Sequence, residues 1–276
     1  MTINEQSVAD HYGKGGLLNS ILNAVADAGG DPANITHDDL KPIEEFHIGG
    51  REATAYTTQK MALTPETHML DIGCGIGGAA RFIHHQYGAR VSGVDLTPEY
   101  IEVARALNEK LCIGDAIDLR VGSALDLPFE DKSFDGALTM HVAMNIKDRP
   151  KLYAEAARVL KPGAIFAIYD VMKKGDAPIA FPVPWSSVPD TSHLTTPDEM
   201  RVLLGDAGFE IIDVEDRTEF AKKVFEKGQL AVNPDPKTPS VHAIMGASAP
   251  EKVKNLRANV KKGAIGPVQI IAKRVI

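Results

Sequence analysis

The sequence predicts an α/β fold: a doubly wound, mostly parallel seven-stranded sheet with an N-terminal helical segment and helical cap insertions. Three observations carry that reading. From Thr67 onward, apolar runs of strand length alternate with stretches of helical period. The first run enters a glycine-rich turn, MLDIGCGIGGAAR at residues 69–81, which opens a helix. The 276 residues are 44% apolar, enough to bury one large core but not two independent ones.

The elements follow in order. Strand one covers residues 69–72, and a helix over 79–87 is ended by Gly88. Strand two is Arg90–Asp95, followed by a helix Pro98–Lys110 with Thr97 as its cap and proline at its first turn. Strand three spans 118–122, and strand four, Phe134–Met140, follows the turn PFEDKS. A helix over 149–160 stops at the turn Lys161-Pro162-Gly163, before strand five, AIFAIYDV. A helix over 197–207 ends at Gly208, then come the strand FEIIDVEDRT and a last strand, PVQIIAKRV.

Three segments stand outside this alternation. Residues 1–62 form an N-terminal helical lid or cap with an amphipathic helix over 17–28 that stops at Gly29-Gly30. The remainder, 63–276, is the main domain, with insertions at about 172–196 and 221–264. The first insertion holds four prolines and FPVPW and has the length of a binding loop; the second reads as two helices.

Net charge is −7, and no basic run exceeds a pair, which argues against a nucleic-acid backbone or an anionic membrane as partner. Two cysteines, Cys74 and Cys112, lack metal-ligand spacing and read as free thiols. The N-terminus lacks the pattern of a signal peptide, and no stretch reaches ~18 apolar residues. The expectation is a cytoplasmic protein acting on a small molecule, with the helical pair near the C-terminus offering a surface for a homodimer.

The glycine turn fits two spacings. Gly73, Gly75 and Gly78 match the dinucleotide fingerprint, whereas Gly73, Gly75 and Gly77 match a different one. Asp95, 24 positions after Asp71, suits a ribose diol in either case. Asp71 discriminates, because a strand that binds NAD runs apolar into its first glycine, and a buried acid needs a partner. S-adenosylmethionine offers an ammonium, a sulfonium, a diol and an adenine, and no phosphate.

LDIGCGIG, GVDLTP ending at Pro98, LDLPFEDKSFD and RVLKPGA together resemble the successive motifs of the class I S-adenosylmethionine-dependent methyltransferases, from about Leu70 to Asp170. EFHIGGREAT and TMHVAMNI resemble segments of bacterial small-molecule methyltransferases related to the sarcosine and dimethylglycine N-methyltransferases. The resemblance implies a Rossmann-like methyltransferase sheet. It also places Gly73, Gly75 and Gly77 under the methionine part of the cofactor, Asp71 near its amino end and Asp95 on its ribose. Cys74, Leu96 and Met140 complete that set, and Gly49 and Gly50 approach the cofactor from the opposite side. After strand three the family commonly has an acid for the adenine edge; here Ser123-Ala124 stands instead, a shorter neutral acceptor.

His141 follows strand four at the sheet's ligand edge, where an imidazole could act as general base or shape the pocket through its backbone alone. Asp170 could partner His141, bind substrate or be a solvated strand end. Tyr12, His47, Met144, Asn145, Phe181 and Trp185 are the further substrate candidates; Tyr12, Phe181 and Trp185 are also readable as packing anchors, and the His47 segment as an ordinary helix-entry turn. His84-His85 face different directions, which speaks against a metal, and EKVKNLRANVKK reads as a solvated helical face. The implied activity is methyl transfer to a nitrogen or oxygen of a small acceptor. Its rivals are an NAD-dependent oxidoreductase and a non-catalytic cofactor-binding module.

Overall fold

The computed structural model describes residues 5, 13, 15–228, 230 and 248–275. Among these, the helices are α1 (Leu17–Asp27), α2 (His37–Leu40), α3 (Gly50–Thr58), α4 (Gly78–Tyr87), α5 (Pro98–Lys110), α6 (Arg149–Val159), α7 (Pro197–Asp206), α8 (Thr218–Glu226) and α9 (Ala249–Lys261). The strands are β1 (His68–Ile72), β2 (Arg90–Asp95), β3 (Ile117–Val121), β4 (Phe134–Met140), β5 (Leu160–Lys173), β6 (Phe209–Asp216) and β7 (Ile265–Arg274).

They form one seven-stranded sheet in the order β3-β2-β1-β4-β5-β7-β6. The first five strands pair in parallel, and β7 runs antiparallel between β5 and β6. Chain order reverses between β1 and β4, so the crevice at their carboxyl ends is where such a sheet binds ligands.

Alternation along the strands sorts side chains onto two faces. Leu70, Ile72, Phe166 and Ile168 pack with Leu152, Tyr153, Met200 and Leu204 of α6 and α7. Met69, Leu138, Ala167 and Tyr169 turn the other way and pack with Ala53, Ala80, Ile83, Ile101 and Ala104 of α3, α4 and α5. Leu17, Ile21 and Val25 of α1 lie on Tyr100, Val103 and Leu107 of α5. A further apolar cluster, including Ile48, Met144, Trp185, Val224 and Leu256, ties the two insertions to the sheet edge.

Two local expectations need correction. Thr97 makes no side-chain cap; the Asp95 carboxylate takes its backbone N–H at 2.9 Å instead. The turn at Lys161-Pro162-Gly163 lies inside β5, where pairing with β4 shifts register and Gly163 has φ 86°. Pro162 and Gly163 form a bulge rather than a helix stop, because Leu160 already pairs with Phe134.

The chain segment leading into α3 is held to the sheet by buried charge. Arg81 on α4 is fully buried; its Nε donates to Glu44 at 2.8 Å and its Nη1 to Asn108 at 3.0 Å. Arg51 also bonds Glu44 and donates to Glu45 at 3.0 Å, and the Thr54 hydroxyl donates to Glu45. Burial pushes the Glu44 carboxyl above its usual pKa, against the pull of Arg81 and Arg51. Arg81→Met should therefore cost about 3 kcal/mol in urea unfolding, the low end for a broken buried pair, since Glu44 loses one of its two guanidinium partners. Pairing it with Glu44→Leu should recover part of that loss, which a double-mutant cycle would read.

Candidate active site

The carboxyl ends of β1, β2 and β4 open onto a cavity of about 700 Å³. That lies within the ~300–1,000 Å³ typical of small-molecule pockets. The turn from β1 to α4 forms its floor. Gly73, with φ 78°, lies against Val142, and a Cβ there would collide with that side chain. Gly78 faces the Glu44 carbonyl just as tightly, so no side chain fits between the turn and the segment above it. Gly73, Cys74, Gly75 and Gly78 line the cavity. Gly77 does not: at φ 84° it begins α4, and its open side meets Arg81 and Leu119. Both glycine spacings are thus present, one serving the ligand wall and one the helix start.

Two acids stand on this floor. Asp95 accepts the N–H of Gly75 through one oxygen and that of Thr97 through the other, both at 2.9 Å. Burial raises its pKa against those two donors. Asp71 is buried with its Oδ2 unpartnered among the described residues. Burial, then the charges of Asp95 and Glu45, push it up to about 8. The cavity floor is short of one positive charge.

Over the β4 and β5 ends lies Ile48. Its N–H donates to Nδ1 of His141 at 3.2 Å, and its carbonyl accepts the Tyr169 hydroxyl at 3.0 Å. His141 has φ 55°, stacks on Tyr169 with ring centroids 5.0 Å apart, and lines the cavity. A neutral imidazole that accepts at Nδ1 carries its proton on Nε2 and has no second lone pair. Burial, then the charge of His47, hold its pKa well below 6.5.

Leu96, Ser123, Ala124, Met140, Met144, Asn145, His47 and Trp185 also line the cavity. His47 has its Nε2 within 3.2 Å of Glu45 and 3.1 Å of both Thr54 and the Gly50 carbonyl, so that nitrogen is committed within its own segment. The Trp185 indole donates to Ser192 at 2.9 Å.

Four other candidates lie elsewhere. Gly49 and Gly50 are outside the lining; Gly49 lies against the Phe220 ring at the start of α3. Asp170 neither reaches the cavity nor partners His141. It is buried beneath the turn Ala143–Asn145, 3.7 Å from Nη1 of Arg149, and burial raises it to about 7. Phe181 packs in the apolar cluster behind Trp185. Tyr12 lies outside the described residues.

The cavity has walls that the sequence reading left out: Glu5, Glu45, Phe46, Ile48, Lys252 and Leu256. Lys252 and Leu256 sit in EKVKNLRANVKK, where Lys252, Val253, Leu256, Asn259 and Val260 are buried at helical spacing. That stretch is not a solvated face. The apolar period was its legible signal. No group of His, Cys, Asp and Glu among the described residues is placed to hold a metal, and none of their helices is long and apolar enough to cross a membrane.

Residues 70–168 match the model of a methyltransferase domain. The sarcosine/dimethylglycine N-methyltransferase of Halorhodospira halochloris is 31% identical over 66% of this chain and 64% of its own, so the chain spans just under two thirds of that relative. An O-methyltransferase, cnsE, of Penicillium expansum is 28% identical over 71% of this chain and 72% of its own. In fold, the chain is similar to the geranyl diphosphate C-methyltransferase of Streptomyces coelicolor, solved with S-adenosyl-L-homocysteine (TM-score 0.70, 17% identity, 99% and 98% of the two chains).

S-adenosylmethionine fits what the floor lacks. Its ammonium would answer the unpartnered Asp71 oxygen, and its diol would match the Asp95 carboxylate. A dinucleotide diphosphate would bring negative charge to the same two acids. The charge deficit has a measurable consequence. With Asp71 at about 8, the free protein holds a proton there at pH 7 that an ammonium must displace. Binding of S-adenosylhomocysteine should therefore release protons, with affinity rising from pH 6 to 8 and levelling above. Calorimetry at pH 7 in buffers of different ionisation enthalpy reads this directly, and Asp71→Asn should abolish the release.

Proposed function

We propose that the protein, whose residues 70–168 match a methyltransferase domain, transfers the methyl group of S-adenosylmethionine to a neutral amine on a small molecule with an apolar body. The observation that carries the amine is the hydrogen bond from Ile48 to Nδ1 of His141. It leaves the imidazole without a lone pair for a substrate proton, so His141 is a hydrogen-bond donor rather than a general base, one of the two roles its position allowed. An amine that arrives neutral needs no such base. The cofactor supplies an electrophilic methyl on a sulfonium, and this chain's residues align and enclose the reactants.

Charge and polarity divide the labour. Asp71 and Asp95 anchor the donor end by charge and hydrogen bonds. Met144, Val171, Trp185 and Leu256 line the acceptor end with apolar surface. They exclude water from the transfer and hold the amine in line, the main contribution such a reaction asks of a protein. The sarcosine/dimethylglycine relative, by its name an N-methyltransferase, agrees with a nitrogen acceptor.

Production of S-adenosylhomocysteine across a panel of amines, phenols and carboxylates tests the assignment. Turnover on amines is expected; turnover confined to phenols would overturn the amine, and cofactor binding with no turnover at all would favour a non-catalytic module. On the active acceptor, His141→Ala should lower kcat by ~10-fold, as for one lost hydrogen bond. A general base would cost ~10²–10⁴-fold. Its low pKa keeps His141 neutral, so wild-type kcat should show no limb near pH 6.5. A limb there with a loss above 100-fold would restore the base.

A further inference from the structure

The nucleoside end of the cavity presents a puzzle that the N-terminal segment resolves. Asp71 ends β1, Asp95 ends β2 and Ser123 follows β3, and these strands are neighbours in the sheet. A ligand with its ammonium at Asp71 and its diol at Asp95 therefore extends its base toward Ser123. The neighbouring wall there is Leu96, Gly122, Ala124 and Leu125, with no charged side chain of its own. The Ser123 oxygen already accepts the N–H of Leu125 at 3.0 Å. Its proton goes to the carboxylate of Glu5, 118 positions earlier in the chain. Glu5 is only 8% exposed and lines the same cavity.

We propose that Glu5 is the acceptor for the exocyclic amino group of adenine, held toward the base by the Ser123 hydroxyl. The assignment rests on the methyl-donor reading of the floor. A carboxylate offers about four acceptor sites, and the Ser123 hydroxyl takes one of them. A short serine cannot supply that charge, and the N-terminal segment brings it from outside the sheet. Glu5 thus makes recognition of the base depend on a residue 118 positions away from Ser123 in the chain.

The test compares S-adenosylhomocysteine with S-inosylhomocysteine, whose base carries an acceptor oxygen in place of the amino donor, by titration calorimetry. Wild type should prefer the adenine ligand by ~10-fold or more, since the oxo ligand faces a carboxylate with nothing to donate. Glu5→Gln, which offers a donor as well as an acceptor, should compress that preference at least several-fold, and Ser123→Ala should move it the same way. A purely structural anchor would weaken both ligands equally, so an unchanged ratio in Glu5→Gln overturns the proposal. Equal affinity of wild type for both ligands overturns it too, leaving the methyl-donor reading intact. Failure of wild type to bind either ligand overturns that reading and this proposal together.

Discussion

The buried ion pair between Glu44 and Arg81 is the contact from which the site's upper wall is built. It fastens the chain before α3 to the first turn of α4, where Gly78 leaves room for the Glu44 carbonyl. Four residues on, Ile48 reaches both β4 and β5 through its own main chain, setting the ring of His141 and the hydroxyl of Tyr169. Such a pair adds little net stability, because desolvation offsets most of its attraction. Its importance lies in the alternative: with Arg81 removed, a fully buried carboxylate is left with Arg51 alone. The arrangement is specific because its disruption is costly.

The floor and the far wall solve opposite electrostatic problems. Near β1 and β2, acids are concentrated with no cation beside Asp71 among the described residues, an arrangement suited to a positively charged ligand. Toward β5 and the insertions, Met144, Val171, Trp185 and Leu256 make the wall largely apolar, and the Trp185 indole is already bonded to Ser192. One end binds by charge and the other by shape.

Much of this was legible in the chain. The extents of β2, β4 and α5 follow from apolar runs bounded by glycine, proline and capping residues. The weight given to Asp71 came from the physics of an acid beside a glycine turn, and its buried, unpartnered oxygen is the same argument in three dimensions. What stayed hidden depends on distance along the chain. Nothing local to Ser123 indicates Glu5, nothing near His141 indicates that Ile48 takes its lone pair, and Asp170 looks like a strand-end acid until Arg149 is seen beneath it. Gly77 misled for a different reason: two overlapping glycine patterns share one turn, and sequence alone cannot tell a ligand wall from a helix start. The charged run of α9 was misjudged because its lysines outweighed the apolar period that buries Lys252.

The connection between β6 and β7 carries α8 and α9, and α9 grips the proline-rich loop through its amides: Asn259 exchanges two hydrogen bonds with the backbone of Ala180, and Asn255 donates to the Pro182 carbonyl. Lys252 and Leu256 of that helix reach the cavity, yet the glycine turn, Asp71 and Asp95 belong to strands at the other side of the sheet. Under the proposed methyl transfer, the wall that meets the acceptor is therefore hung on an antiparallel hairpin, remote from the strands that would hold the donor. Lineages built on this plan can exchange one hairpin connection and acquire a new acceptor while inheriting the donor chemistry unaltered.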